Sequence, residues 1–127
     1  MAASPSPAKA AHNSLLYVFM NTLIASVRSD TPDFTTRQLS VFLKVYLESS
    51  IEHTVRGLAK ALNISKPAIT RALDRLGEFD FIKRERDSKD RRSVIVRRTT
   101  AGSMYLRTLT GYLSDASKQA AKQTMAG

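Results

Sequence analysis

Residues 58–97 hold the pattern that most restricts what this chain can fold into. The run Leu58-Ala59-Lys60-Ala61-Leu62-Asn63-Ile64-Ser65-Lys66-Pro67-Ala68-Ile69-Thr70-Arg71-Ala72-Leu73 reads as two short helices across a tight turn. Asn63 tolerates the left-handed conformation that ends the first helix. Ser65 caps the second, and Pro67 in its first turn removes only an amide that had no partner there. Ile82-Lys83-Arg84-Glu85-Arg86, a polar tip at Asp87–Arg92, and Ser93-Val94-Ile95-Val96-Arg97 then read as a two-stranded hairpin. The expected fold class is mostly α with a small β-hairpin wing: a winged helix-turn-helix.

The charge concentrates in the same segment. Residues 54–98 hold 13 Lys and Arg against 6 Asp and Glu, while the rest of the chain holds 7 against 5. A surface that only needs solubility mixes its signs more evenly. The net charge of +9 points to an acidic partner, and by itself does not separate DNA from RNA or an anionic membrane. The shape favours duplex DNA, with one helix in the major groove and the hairpin reaching along the backbone toward the minor groove.

The remaining segments read as helices around this module. At 127 residues the chain is expected to form one domain with a single core. A tail over residues 1–10 is expected to be disordered, with one winged-helix domain over 11–127. Leu16, Phe19, Met20, Leu23, Ile24 and Val27 repeat with helical period over about Ala11–Arg28. Leu15, Tyr17 and Val18 widen that stripe. It suits either a central buried helix or one shared with a partner subunit, and the width favours the second. Pro32 interrupts any continuation. Thr35 and Gln38 form a capping box for a second helix to about Glu48, with Phe34 and Leu39 as its hydrophobic staple. Thr54 caps a third helix to about Leu62, and a very short strand fits near Ile51–Thr54. Gly77 marks the fraying end of the fourth helix. Strands follow at about Phe81–Arg86 and Ser93–Arg98. A Thr100 cap opens a last helix to about residue 122, striped by Tyr105, Leu109, Tyr112, Leu113, Ala116 and Ala120. Residues 11–29 and 100–122 are the expected dimerisation helices.

The expected DNA-facing groups on the fourth helix are Ser65, Lys66, Ala68, Thr70, Arg71 and Arg75. Short side chains at its start let the backbone approach the groove floor, and longer arginines reach guanine edges or phosphates. Its capped N-terminus also suits a phosphate. Asp74 could accept from cytosine or orient Arg71 or Arg75, and the second reading is favoured. On the hairpin, Arg86, Lys89, Arg91 and Arg92 are the expected contacts. A narrow tip can place one guanidinium in the minor groove, where groove width and potential are sensed. Asp87 and Asp90 are expected to shape the turn and hold arginines in place.

These residues resemble the multiple-antibiotic-resistance regulator (MarR) family of winged-helix repressors over about residues 35–113. The likeness rests on Leu58-Ala59 with Leu62-Asn63-Ile64-Ser65, on Leu73 and Leu76 leading to Ile82-Lys83-Arg84, and on Asp90-Arg91-Arg92 running through Val94 and Val96 to Thr100-Ala101-Gly102. Asp90 and Arg92 fit the family's Asp-x-Arg. Arg98-Thr99-Thr100-Ala101-Gly102 lacks the usual leucine, and Asp80 stands where a glycine is common. The resemblance implies a homodimer built from the first and last helices on a pseudo-palindromic operator. Many relatives are released by small ligands, but effector pockets vary too widely for any ligand to be carried over.

Other classes fit poorly. The chain has no cysteine, which excludes disulfides and thiolate metal sites and suits a reducing compartment. His12 and His53 are in no metal-ligand spacing, and no phosphate loop, nucleophile elbow or metalloprotease helix is present. No catalytic residue, metal or cofactor is expected. Without a signal-peptide pattern or an apolar run near the roughly 20 residues that span a bilayer, a cytoplasmic protein is expected. The function these readings favour is a sequence-specific, dimeric regulator of transcription on double-stranded DNA. A sequence-tolerant DNA-organising or replication-associated winged helix, and a winged helix that docks on protein, are the alternatives.

Overall fold

A computed structural model describes residues 7–126, with side chains for residues 13–125. The expected N-terminal tail lies outside the described residues as far as residue 6; residues 7–10 begin a helix. The order is α1 (Pro7–Arg28), α2 (Thr36–Leu47), β1 (His53–Thr54), α3 (Val55–Leu62), α4 (Lys66–Glu78), β2 (Ile82–Arg86), β3 (Val94–Arg98) and α5 (Thr100–Ala126). The chain divides into two compact units, Phe34–Leu106 and the residues through Asp33 together with those from Arg107.

In the unit 34–106 each helix start is written locally. Thr35 Oγ1 accepts the Gln38 amide at 3.1 Å, and Gln38 Oε1 accepts the Thr35 amide at 2.9 Å. Thr54 Oγ1 takes the Gly57 amide, and Ser65 Oγ takes the Ala68 amide at 3.2 Å. Asn63 sits at φ 54°, so α3 ends there and α4 can start at a new angle. Asp80, at φ 59°, gives the chain its other left-handed residue among those described, which accounts for a glycine preference at this site. Its amide bonds Gly77 and the Phe81 amide bonds Leu76, closing α4 one residue beyond Gly77.

Three antiparallel strands follow the order β1-β3-β2, with His53 opposite Val96 and Arg84 opposite Val96 on the other side. Thus the wing is a three-stranded sheet whose first strand comes from the segment before α3. The core under it consists of Val41, Phe42, Val45, Leu58, Ile69, Leu73 and Leu76, all within 1% of full burial. Phe34 meets Phe79, Phe81 and Tyr105 edge-on, and Phe81 stacks on Tyr105 at 4.7 Å between ring centres.

Tyr46 ties three of these elements together. Its Oη donates to the Phe81 carbonyl at 2.6 Å, just before β2, and accepts the Thr99 amide at 3.0 Å, just after β3. Gly102 packs so closely on this hydroxyl that an added Cβ overlaps Tyr46 Oη and the Phe81 carbonyl. The start of α5 differs from expectation. Thr99, not Thr100, is the cap, because its Oγ1 accepts the Gly102 amide at 2.9 Å while donating to the Asp80 carbonyl at 2.6 Å. Thr100 is already helical.

In the other unit, α1 begins at Pro7, earlier than the apolar stripe suggested. Asn21 is buried there and donates from Nδ2 to Gln123 Oε1 at 2.6 Å, with the Ala116 carbonyl at 3.5 Å. Ala116 and Ala120 are buried as well, since small side chains let backbones approach. The wide apolar face of α1 remains uncovered: Leu16 is 65%, Phe19 63% and Val27 70% exposed. Among the described residues, no helix is long and apolar enough to cross a membrane.

Candidate nucleic-acid interface

The fourth helix presents Ser65, Lys66, Thr70 and Arg71 to solvent. Three of its features correct the sequence reading. Ala68 is only 5% exposed and belongs to the core. At 3.6 residues per turn it lies about 40° around the helix from Ala72 and about 80° from Leu76, both buried, so it borders the inward arc. Arg75 is half-buried and already engaged. Its Nη1 donates to Glu78 Oε2 at 2.7 Å, and its guanidinium stacks 4.7 Å from the Phe79 ring centre. Asp74 orients neither Arg71 nor Arg75. Its Oδ1 meets Arg84 Nη1 of β2 at 2.8 Å, joining the exposed side of α4 to the wing.

The tip between β2 and β3 is built by its two aspartates through backbone bonds. Asp87 Oδ1 accepts the Lys89 amide at 2.9 Å, and Asp90 Oδ1 accepts the Arg92 amide at 3.1 Å. The Asp87 amide reaches the Ser93 carbonyl, and the Ser93 amide reaches the Asp90 carbonyl, closing the loop. These bonds fix the path of the turn. The arginine-holding role falls instead to a carbonyl: Arg86 Nη1 donates to the Arg91 oxygen at 3.0 Å. With its backbone fixed in this way, the tip leaves Lys89, Arg91 and Arg92 exposed.

Ion pairing sorts the cations of this unit. Lys44, Arg75, Lys83, Arg84 and Arg97 each have a carboxylate within 4 Å. Arg37, Lys66, Arg71, Arg86, Lys89, Arg91, Arg92 and Arg98 have none among the described residues. Neither do Arg56 and Lys60, which the sequence reading passed over. They are exposed and stand four positions apart, on one face of α3. That spacing, on the first helix of a helix-turn-helix, was the signal that could have found them. A cation without a carboxylate partner can exchange its counterion for a phosphate without first breaking an ion pair, so this second set is the one suited to hold a polyanion. Among the described residues no cluster of His, Asp and Glu is placed to bind a metal.

Residues 35–94 match the model of the MarR family. No curated protein matches the chain. Several solved structures do. A mutant of S. aureus MepR bound to an oligodeoxyribonucleotide is 20% identical, with a TM-score of 0.68, over 89% of this chain and 77% of that one. A mutant of MarR from E. coli is 22% identical, with a TM-score of 0.64, over 96% of this chain and 87% of its own. The transcriptional regulator Tm0710 from Thermotoga maritima is 17% identical, with a TM-score of 0.66, over 93% and 77%. At these identities the likeness establishes the winged helix-turn-helix fold.

Proposed function

We propose, for a chain that belongs to the MarR family of DNA-binding transcription regulators through residues 35–94, that it reads a specific duplex sequence as a homodimer. Helix α4 enters the major groove by its N-terminal half, with Ser65, Lys66, Thr70 and Arg71 toward bases and neighbouring phosphates. Arg86, Lys89, Arg91 and Arg92 take the backbone and the minor groove. The observation that carries this reading is the sorting of charges: among the described residues the exposed cations of the α4 N-terminus and the wing tip lack carboxylate partners, and the Asp74–Arg84 pair joins those two elements within one compact unit.

The dimer rests on α1. A contiguous face containing Leu16, Phe19, Leu23 and Val27 is too apolar to be left in water. A second copy covering it would make a homodimer, and the recognition helices of helix-turn-helix dimers enter successive major grooves about 34 Å apart. Selection from a pool of random duplexes tests both parts. The expected result is a two-fold symmetric motif with half-sites about 10 base pairs apart. Binding without any enriched motif would instead indicate a sequence-tolerant DNA-organising protein, and failure to bind duplex at physiological salt would end the reading. The proposed working location is the cytoplasm, on the nucleoid.

A further inference from the structure

The carboxylates nearest the interface divide α4 into two halves. Lys66 and Arg71, in the N-terminal half, have no carboxylate partner among the described residues. In the C-terminal half the arginines are claimed: Arg75 by Glu78 at 2.7 Å, and Arg84 of β2 by Asp74 at 2.8 Å. Asp74 is exposed and lies three residues after Arg71 and four after Thr70, on the face that the proposed function turns toward DNA. A carboxylate at that place repels phosphate. Fold stability gives little reason for it, because solvent-exposed ion pairs contribute almost nothing to folding.

We infer that Asp74 limits affinity: its carboxylate competes with backbone phosphate for the Arg84 guanidinium and so lowers the sequence-blind part of binding. The inference rests on the proposed function and adds to it a residue whose removal strengthens binding. In the free protein, Arg84 Nη1 is donated to Asp74 Oδ1, and the pair is neutral. A phosphate that approaches Arg84 therefore meets no net positive charge and releases no counterion on its account. Sequence-blind attraction to phosphate is what holds a protein of net charge +9 on the wrong DNA. A carboxylate beside the base-reading residues restrains that term where it would otherwise be strongest.

The test measures binding of the full chain to a random-sequence duplex between about 50 and about 200 mM salt. The proteins are the wild type, Asp74→Asn, Arg84→Ala and the double variant, each checked by circular dichroism melting. Asp74→Asn is expected to bind more tightly, with the slope of log affinity against log salt steeper by about 0.9, one further phosphate. Its advantage over the wild type is then about 3.5-fold larger at the low end of that range than at the high end. In the Arg84→Ala background the advantage should disappear, because the guanidinium that Asp74 restrains is gone. A loss of affinity on Asp74→Asn, as a purely structural strut would give, overturns the inference. So does an unchanged slope, or an equal gain in both backgrounds. A wild type that binds no duplex ends the proposed function and this inference with it; a wild type that binds while Asp74→Asn gains nothing ends the inference alone.

Discussion

Of the glycines in this binding unit, Gly102 leaves the least room for a side chain, so Gly102→Ala should be damaging. Its new methyl would overlap Tyr46 Oη and the Phe81 carbonyl. Neither gives way easily: Tyr46 is 6% exposed, and the carbonyl belongs to the backbone entering β2. Moving the hydroxyl breaks its bond to Phe81 O at 2.6 Å and the one from the Thr99 amide at 3.0 Å. Each is worth about 1 kcal/mol, and overpacking adds about 1–3 kcal/mol. Replacing glycine by alanine in a helix returns up to about 1 kcal/mol. The expected net loss is about 2–4 kcal/mol. Tyr46→Phe removes the same two bonds without the overlap and should cost about 1–2 kcal/mol. Since both changes break the same bonds, the double variant should fall short of the sum by about 1–2 kcal/mol. Urea unfolding followed by far-ultraviolet circular dichroism, at one fixed protein concentration, reads all four proteins; the concentration matters because a dimer's stability depends on it. A Gly102→Ala protein within about 0.5 kcal/mol of the wild type, or strictly additive losses, would show that the Tyr46 hydroxyl does not hold α5 and the wing together in this way.

Three further outcomes are expected. Arg71→Ala should reduce the preference between the selected site and its single-base variants by about 1–3 kcal/mol, whereas Lys89→Ala should weaken all duplexes alike and flatten the salt slope by about 0.9. An identical sequence-blind loss from both would refute the assigned roles. Arg75→Ala should lower folding stability by about 1 kcal/mol, through its exposed pair with Glu78 and its stacking on Phe79, and leave sequence preference intact; competition binding with variant sites checks this. Phe19→Glu, on the uncovered face of α1, should shift sedimentation toward the monomer at micromolar concentrations while the melting transition of the protein persists.

Much of the binding unit was legible in the chain because its signals are local. A capping box spans three residues, so Thr35 and Gln38 announce the start of α2 wherever that helix goes. Thr54, Asn63 and Ser65 do the same for α3 and α4, and their bonds reach only three or four positions along the chain. The aspartates of the wing tip are equally local, since each accepts an amide two residues on. Periodicity found the inward face of α4, where Ile69, Leu73 and Leu76 are buried, but blurred at its border. Ala68 is small enough to be read on either side, and only the neighbours that cover it put it inside.

What the sequence by itself determined is the order of helices and strands, the caps of α2, α3 and α4, and the segment in which positive charge gathers. Each of these follows from groups within about one turn of one another, or from simple counting. What only the tertiary structure decided is which partner each polar group has. Asp74 pairs with Arg84 ten positions away, Tyr46 reaches Phe81 and Thr99, and Thr99 rather than Thr100 caps α5 because the Asp80 carbonyl is there to receive its hydroxyl. Hydrogen bonds and ion pairs act over a few ångströms of space. The spacing of residues along the chain carries no record of which distant groups folding brings that close.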